Sequence, residues 1–228
     1  MGRILRLTSL CAGLLGLGTI LLTAGCGSGG STRLRVMNAV PDEASLNVLV
    51  DNSSVSSSLA YGTSTGYISE SSGSHQVAVA PVGSTTALLT QTVNLASGSD
   101  TTIISTNFSS SIENLVLTDN NAAPASGDFT IRLINASPNL GPADIYIVTP
   151  GTALTSVSPT LSNVGFGVAS SYQSLTAGSL EIEMTSVGQK FAVVDTGTLT
   201  FIAGQVRTFV GLNNPSGGFT YTMLQDVN

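Results

Sequence analysis

The sequence predicts an all-β protein: two tandem immunoglobulin-like (Greek-key) β-sandwich domains behind a signal peptide and a flexible tether. Three observations carry this expectation. Short apolar segments alternate with polar residues and stop at Gly, Asn, Pro or Asp, a period of two and not 3.6. Hydrophobic residues make up 42% of the chain, many of them β-branched, and only 9% of residues are charged. That balance favours a folded β domain over disorder and leaves Ser, Thr, Asn and Gly to build the surface. The third observation is an internal repeat of about 90 to 100 residues, the size of a domain and not of a solenoid module.

The first residues read as an export signal. Arg3 and Arg6 precede an apolar stretch, Leu7 to Leu22, broken only by Thr, Ser, Ala, Cys and Gly. It is too short and too rich in glycine for a membrane span, which needs about 20 apolar residues. Leu22-Thr23-Ala24-Gly25-Cys26 resembles the lipobox of bacterial lipoproteins, where small residues let a peptidase cleave before a lipid-bearing Cys. Leu usually stands three places before that Cys; here Thr23 does, with Leu22 one place earlier. The expectation is therefore a signal peptide over 1–25, a palmitate-bearing Cys26, and a Gly/Ser tether over 26–32. Gly27, not Asp, follows the Cys, which in two-membrane bacteria points to the outer membrane. Cys11 lies in the signal, so no thiol remains for a disulfide and stability must come from apolar burial.

Without Arg3 and Arg6 the chain keeps five basic residues against 13 acids. Nucleic acid is excluded as a partner, because counterion release at phosphates needs clustered Lys and Arg. Anionic head groups are disfavoured for the same reason.

The repeat pairs Arg35-Val36-Met37-Asn38-Ala39-Val40-Pro41-Asp42 with Arg132-Leu133-Ile134-Asn135-Ala136-Ser137-Pro138-Asn139. Tyr61-Gly62 pairs with Phe166-Gly167, Tyr67 with Tyr172, Gly73 with Gly178, Gly98 with Gly204, and Asp119 with Asp226. The offset grows in the middle, an insertion around 149–162. The first unit covers 33–119, a linker rich in Asn, Ala, Pro and Ser covers 120–128, and the second covers 129–228. Strands are expected near 33–38, 45–51, 66–69, 75–82, 88–95, 101–106 and 114–118. In the second unit they are expected near 129–135, 143–148, 169–174, 179–185, 191–201, 206–212 and 219–225. Ser72-Gly73 and Ala177-Gly178 sit where hairpins need positive φ.

These features together resemble the domain-of-unknown-function 4397 family: a strand opening on Arg, an Asn-Ala-x-Pro turn, a Val/Ile strand, Tyr/Phe-Gly, then a Ser/Ala-Gly hairpin. Its members often occur as tandem repeats in exported proteins. The resemblance covers nearly all of 33–228 and implies architecture, not chemistry. Many members carry His where Asn38 and Asn135 stand, so any role of that His is not carried over.

Candidate sites are few. His75 is the only His, too little for catalytic zinc or a Ser-His-Asp triad, and reads as a surface strand residue. Asp42, Glu43, Asp51, Asp119, Asp144 and Asp226 fall at strand ends, where oxygen ligands could gather calcium. Turn-forming Asp explains them equally well, so no metal or cofactor is expected. Arg35 and Arg132 are read as strand residues reaching a nearby acid, Asp51 being one partner for Arg35. The turn residues Asn38, Pro41, Asn135 and Pro138 are candidates for a structural or a ligand turn, the structural reading being favoured. Tyr61, Phe166, Tyr67 and Tyr172 read as core, and the absence of Trp counts against a typical carbohydrate-binding module. The expected function is that of a non-enzymatic, lipid-anchored envelope protein for adhesion, scaffolding or binding. Its partners would be the bilayer through Cys26 and an unknown envelope protein or glycan. A glycan or small-molecule binding module is the alternative, and a carboxylate-dependent hydrolase ranks below both.

Overall fold

A computed structural model describes residues 31–226; Cys26, the segment 1–25 and most of the tether lie outside the described residues. The strands are β1 (Thr32–Ala39), β2 (Ser45–Val50), β3 (Ser53–Ala60), β4 (Ile68–Glu70), β5 (Gly73–Pro81), β6 (Leu89–Leu95), β7 (Asp100–Thr106) and β8 (Glu113–Asp119). They continue with β9 (Asp128–Asn135), β10 (Ala143–Val148), β11 (Leu161–Val164), β12 (Val168–Ala169), β13 (Gln173–Thr176) and β14 (Gly178–Ser186). β15 (Val194–Asp195), β16 (Leu199–Phe201), β17 (Val206–Asn213) and β18 (Phe219–Gln225) complete the set.

β1 to β8 form two sheets, ordered β4-β1-β7-β8 and β3-β2-β5-β6. β9 to β18 repeat the plan, with β17 and β18 on one side of β9 and β12 and β13 on the other. The fourth sheet runs β11-β10-β14, with β15 and β16 both pairing β14. The all-β sandwich expected from the sequence is what the chain forms. β1 runs parallel to β7, as β9 does to β17, and the other pairs are antiparallel.

Each sandwich fills its own interior. Leu34, Val36, Leu46, Val48, Val77, Val79 and Ile103 form the first core. Phe129, Ile131, Leu133, Ile145, Ile182, Met184 and Phe209 form the second, with Phe129 and Phe201 stacked at 4.2 Å. A third core lies between the sandwiches: Met37, Ala39 and Ile104 pack with Ile134, Ala136, Val210, Leu212 and Leu224. β1, β7, β9 and β17 therefore bury both faces, and nearly every residue of each is buried, the polar Arg35, Asn38, Arg132 and Asn135 included. The described residues form a stack of four sheets with an apolar layer between each neighbouring pair.

Two strands lie where the sequence predicts none. β3 is Ser-rich, and Ser is a weak strand former. The turn before it compensates: Asp51 (φ 48°) and Asn52 (φ 65°) close a two-residue hairpin in which Val50 pairs with Ser53. Val55 and Leu59 then anchor β3 to the first core. β11 is fixed by Val164, which enters the second core. The single strands expected over 169–174 and 191–201 are each broken in two, the latter by a turn at Gly197 (φ 59°) whose amide bonds Asp195.

Candidate functional site

The sequence candidates at the end of β1 and β9 have their polar groups committed to the chain itself. Asn38 and Asn135 are fully buried. Asn38 Nδ2 donates to the carbonyls of Glu43 (3.2 Å) and Leu59 (3.1 Å), while its Oδ1 accepts from the Val40 amide (3.0 Å). Asn135 does the same with Gly141 (2.7 Å), Val164 (3.0 Å) and the Ser137 amide (3.1 Å). Pro41 and Pro138 follow in the turns so fixed.

Arg35 does not reach Asp51. Its Nη2 bonds Asp226 of the other sandwich at 2.5 Å, and Arg132 reaches back to Asp119 at 2.6 Å. Thr102 and Tyr67 donate to Asp119, each at 2.6 Å; Thr208 and Tyr172 donate to Asp226 at 2.8 and 3.2 Å. Each guanidinium lies over a tyrosine ring, Arg35 over Tyr67 at 4.5 Å and Arg132 over Tyr172 at 4.9 Å. The four charged side chains are at most 3% exposed. Burial pushes the Tyr172 hydroxyl up to about 12 and that of Tyr67 further. Tyr61 also serves this interface: its hydroxyl, raised to about 12 by burial, donates to the Asn213 carbonyl at 2.7 Å. Phe166, its repeat partner, has no hydroxyl to do so.

His75 is buried, not a surface residue as its strand position suggested. Nδ1 faces Asp51 at 2.7 Å and Nε2 faces the Ser71 carbonyl at 2.9 Å. Both nitrogens thus meet acceptors, and the bond to Asp51 holds the imidazole above its ordinary pKa. Asp51 lies below its own, through the Gln76 amide first and His75 second. The other strand-end acids are scattered: Asp42 accepts from Ser109, and Asp144 from the amides of Asn163 and Gly188. Among the described residues, no three His, Cys, Asp or Glu side chains are grouped to hold a metal ion.

An open concavity lies elsewhere, on the outer face of β3-β2-β5-β6, a groove of about 500 Å³. Leu49, Ala78 and Ala80 floor it with Asn47 and Gln76; Asn52, Ser54 and Ser57 form one wall, and Ser84, Thr85 and Ala87 the other. No lining side chain carries a charge. Asn47 Oδ1 is buried there without a hydrogen-bond partner.

The equivalent face of the second sandwich is closed. By strand register, Tyr146 stands where Leu49 does, Glu183 for Ala78, Glu181 for Gln76, Asp144 for Asn47 and Thr185 for Ala80. The insertion at 149–162 folds over them: Leu154 and Val157 pack on Tyr146 and Val148. Gly151 donates its amide to Glu181 at 3.0 Å, and Thr160 Oγ1 accepts from the Ile147 amide at 2.9 Å. Lys190 donates to the Tyr146 hydroxyl and to the Val157 carbonyl. The groove escapes a sequence reading because one wall is the unforeseen β3. Asp51-Asn52, a hairpin turn signal, was the cue that could have located it.

The model of the family described as domain of unknown function 4397 matches residues 32–146, from β1 into β10. No curated protein matches the chain. Among solved structures, the chain is similar to one reported for alpha-glucan binding by a streptococcal virulence factor. Identity is 9%, coverage is 84% of this chain and 97% of that one, and the TM-score is 0.28. A second, of family 41 carbohydrate-binding modules from streptococcal virulence factors recognising alpha-glucan, is 12% identical over 84% and 97%, with a TM-score of 0.27. A third, a candidate cell adhesion protein from Bacteroides uniformis, is 9% identical over 86% and 99%, with a TM-score of 0.25.

Proposed function

We propose a binding role without catalysis for this chain, which belongs to the domain-of-unknown-function 4397 family. The chain is a lipid-anchored envelope protein, tethered through Cys26, whose two related sandwiches act as one rigid body for adhesion or capture. The observation that carries this reading is the open, uncharged groove on the first sandwich, set beside an equivalent face that the chain closes with its own insertion. Concave faces with a few polar groups on a rigid scaffold are where ligands bind. The buried Arg, Asp and Tyr side chains support the same view, because their charges and hydroxyls are engaged in joining the sandwiches.

The test uses the full chain purified in detergent and passed over envelope material from the same cells. Retention that falls when the groove is filled supports the reading; no retention by the wild type would sink it. Anchoring is tested separately by growth with labelled palmitate. The wild type should take up label, Cys26→Ser should lose it and leave the membrane fraction, and label on the variant would end the lipoprotein reading.

A further inference from the structure

We infer that the groove over β3-β2-β5-β6 is a site for a neutral, polyhydroxylated chain, that is, an uncharged glycan. This inference rests on the binding role proposed above and names its site and ligand class.

The second sandwich supplies an internal control, since the same sheet face can be compared with and without a groove. At five register-equivalent positions the first sandwich carries a smaller or uncharged residue: Leu49 for Tyr146, Ala78 for Glu183, Gln76 for Glu181, Asn47 for Asp144, and Ala80 for Thr185. Three of these exchanges remove a carboxylate, in a chain with almost twice as many acids as bases. A phosphate or carboxylate ligand would need cationic groups, and a cationic ligand would be served by the very acids that are missing. The lining therefore selects against charge of either sign.

Hydrogen bonding narrows the class further. In the second sandwich both Asp144 oxygens accept bonds from the chain's own amides, Asn163 and Gly188, at 2.9 Å. In the first, Asn47 Oδ1 is buried with no donor, an acceptor that the fold itself leaves unmet. Around it stand the amides of Asn52 and Gln76 and the hydroxyls of Ser54, Ser57, Thr85 and Thr90, groups that both donate and accept. Sugar hydroxyls do both as well. Leu49, Ala78 and Ala80 offer a low apolar floor for the C–H face of a sugar ring. Shape agrees: the groove spans neighbouring strands about 4.8 Å apart and is open to solvent, which suits an extended chain passing through better than an enclosed monomer. With no aromatic side chain in the lining, affinity at one groove is expected to be modest and to rise with many tethered copies on one surface.

The experiment is affinity electrophoresis and calorimetry of the full chain in detergent. The probes are neutral glucans and mannans, a polygalacturonate of similar length, and a neutral extended peptide. The wild type is expected to bind at least one neutral polysaccharide at least tenfold tighter than polygalacturonate. Leu49→Tyr and Ala78→Glu, each installing the residue of the closed face, should weaken binding at least tenfold with an unchanged melt. Gln76→Glu, at an exposed position, adds only a charge and covers the case in which the larger residues disturb folding. Glycan binding that survives all three variants would overturn the assignment of the groove. Peptide or envelope-protein binding that the variants abolish, without glycan binding, would overturn the ligand class and leave the binding role standing. No binding to any probe or to envelope material would remove the binding role itself.

Discussion

Arg35 on β1 bonds Asp226 at 2.5 Å across 191 residues of sequence, tying the first sandwich to the last described residue of the second. The reciprocal bond, Arg132 to Asp119 at 2.6 Å, makes the junction an exchange of acids between two equivalent strands. Both pairs lie at the edge of a shared apolar layer, so separating the sandwiches exposes the third core and unpairs buried charges together.

The first prediction concerns that junction. Asp226→Ala leaves the buried Arg35 guanidinium with Asp119, at 4.0 Å and already bonded to Arg132, as its nearest acid, and stability should fall by about 3 kcal/mol. Replacing the pair together, Arg35→Met with Asp226→Leu, should recover most of the loss, since removing both charges also removes their desolvation cost. Denaturant melts of the two variants check this. The wild type should unfold in one transition; two separated transitions would show that the shared layer does not couple the sandwiches.

The second prediction concerns the paired turns. Asn135→Ala strips partners from two carbonyls and one amide, and should cost about 1 to 2 kcal/mol. If the turn serves a ligand instead, the melt will be unchanged and retention on envelope material lost. Measuring both on one variant separates the readings.

A third prediction is a pH dependence. His75 titrates above its ordinary value in the folded chain, chiefly through its bond to Asp51. A base with a raised folded pKa contributes stability that is complete below the unfolded pKa, about 6.5, and is lost as pH rises through the folded one. The stability advantage of the wild type over His75→Gln should therefore be greatest below the unfolded value and shrink as pH rises through the raised folded one. An advantage that grows with pH would mean that the imidazole is held neutral.

The repeated residues could be read from the sequence because each faces a local demand. Asn38 and Asn135 satisfy the backbone within their own turns, and Val77 and Val79 alternate with Gln76 and Ala78 to sort one strand into a dry and a wet face. Such short-range requirements leave a period, a spacing or a repeat behind. They predict an all-β chain of sandwiches with no disulfide to help it.

What only the tertiary structure decided depends on residues far apart in the chain. The partner of Arg35 is Asp226 and not the nearer Asp51, because packing two sheets face to face brings β1 against the end of β18. His75 became a buried residue because the β2–β3 turn places Asp51 over it. The groove required β3, whose serines carry almost no strand signal, and a second sandwich closed over the same face by its insertion. No local pattern encodes these outcomes, since the energy that fixes them comes from surfaces meeting only after each sheet has formed.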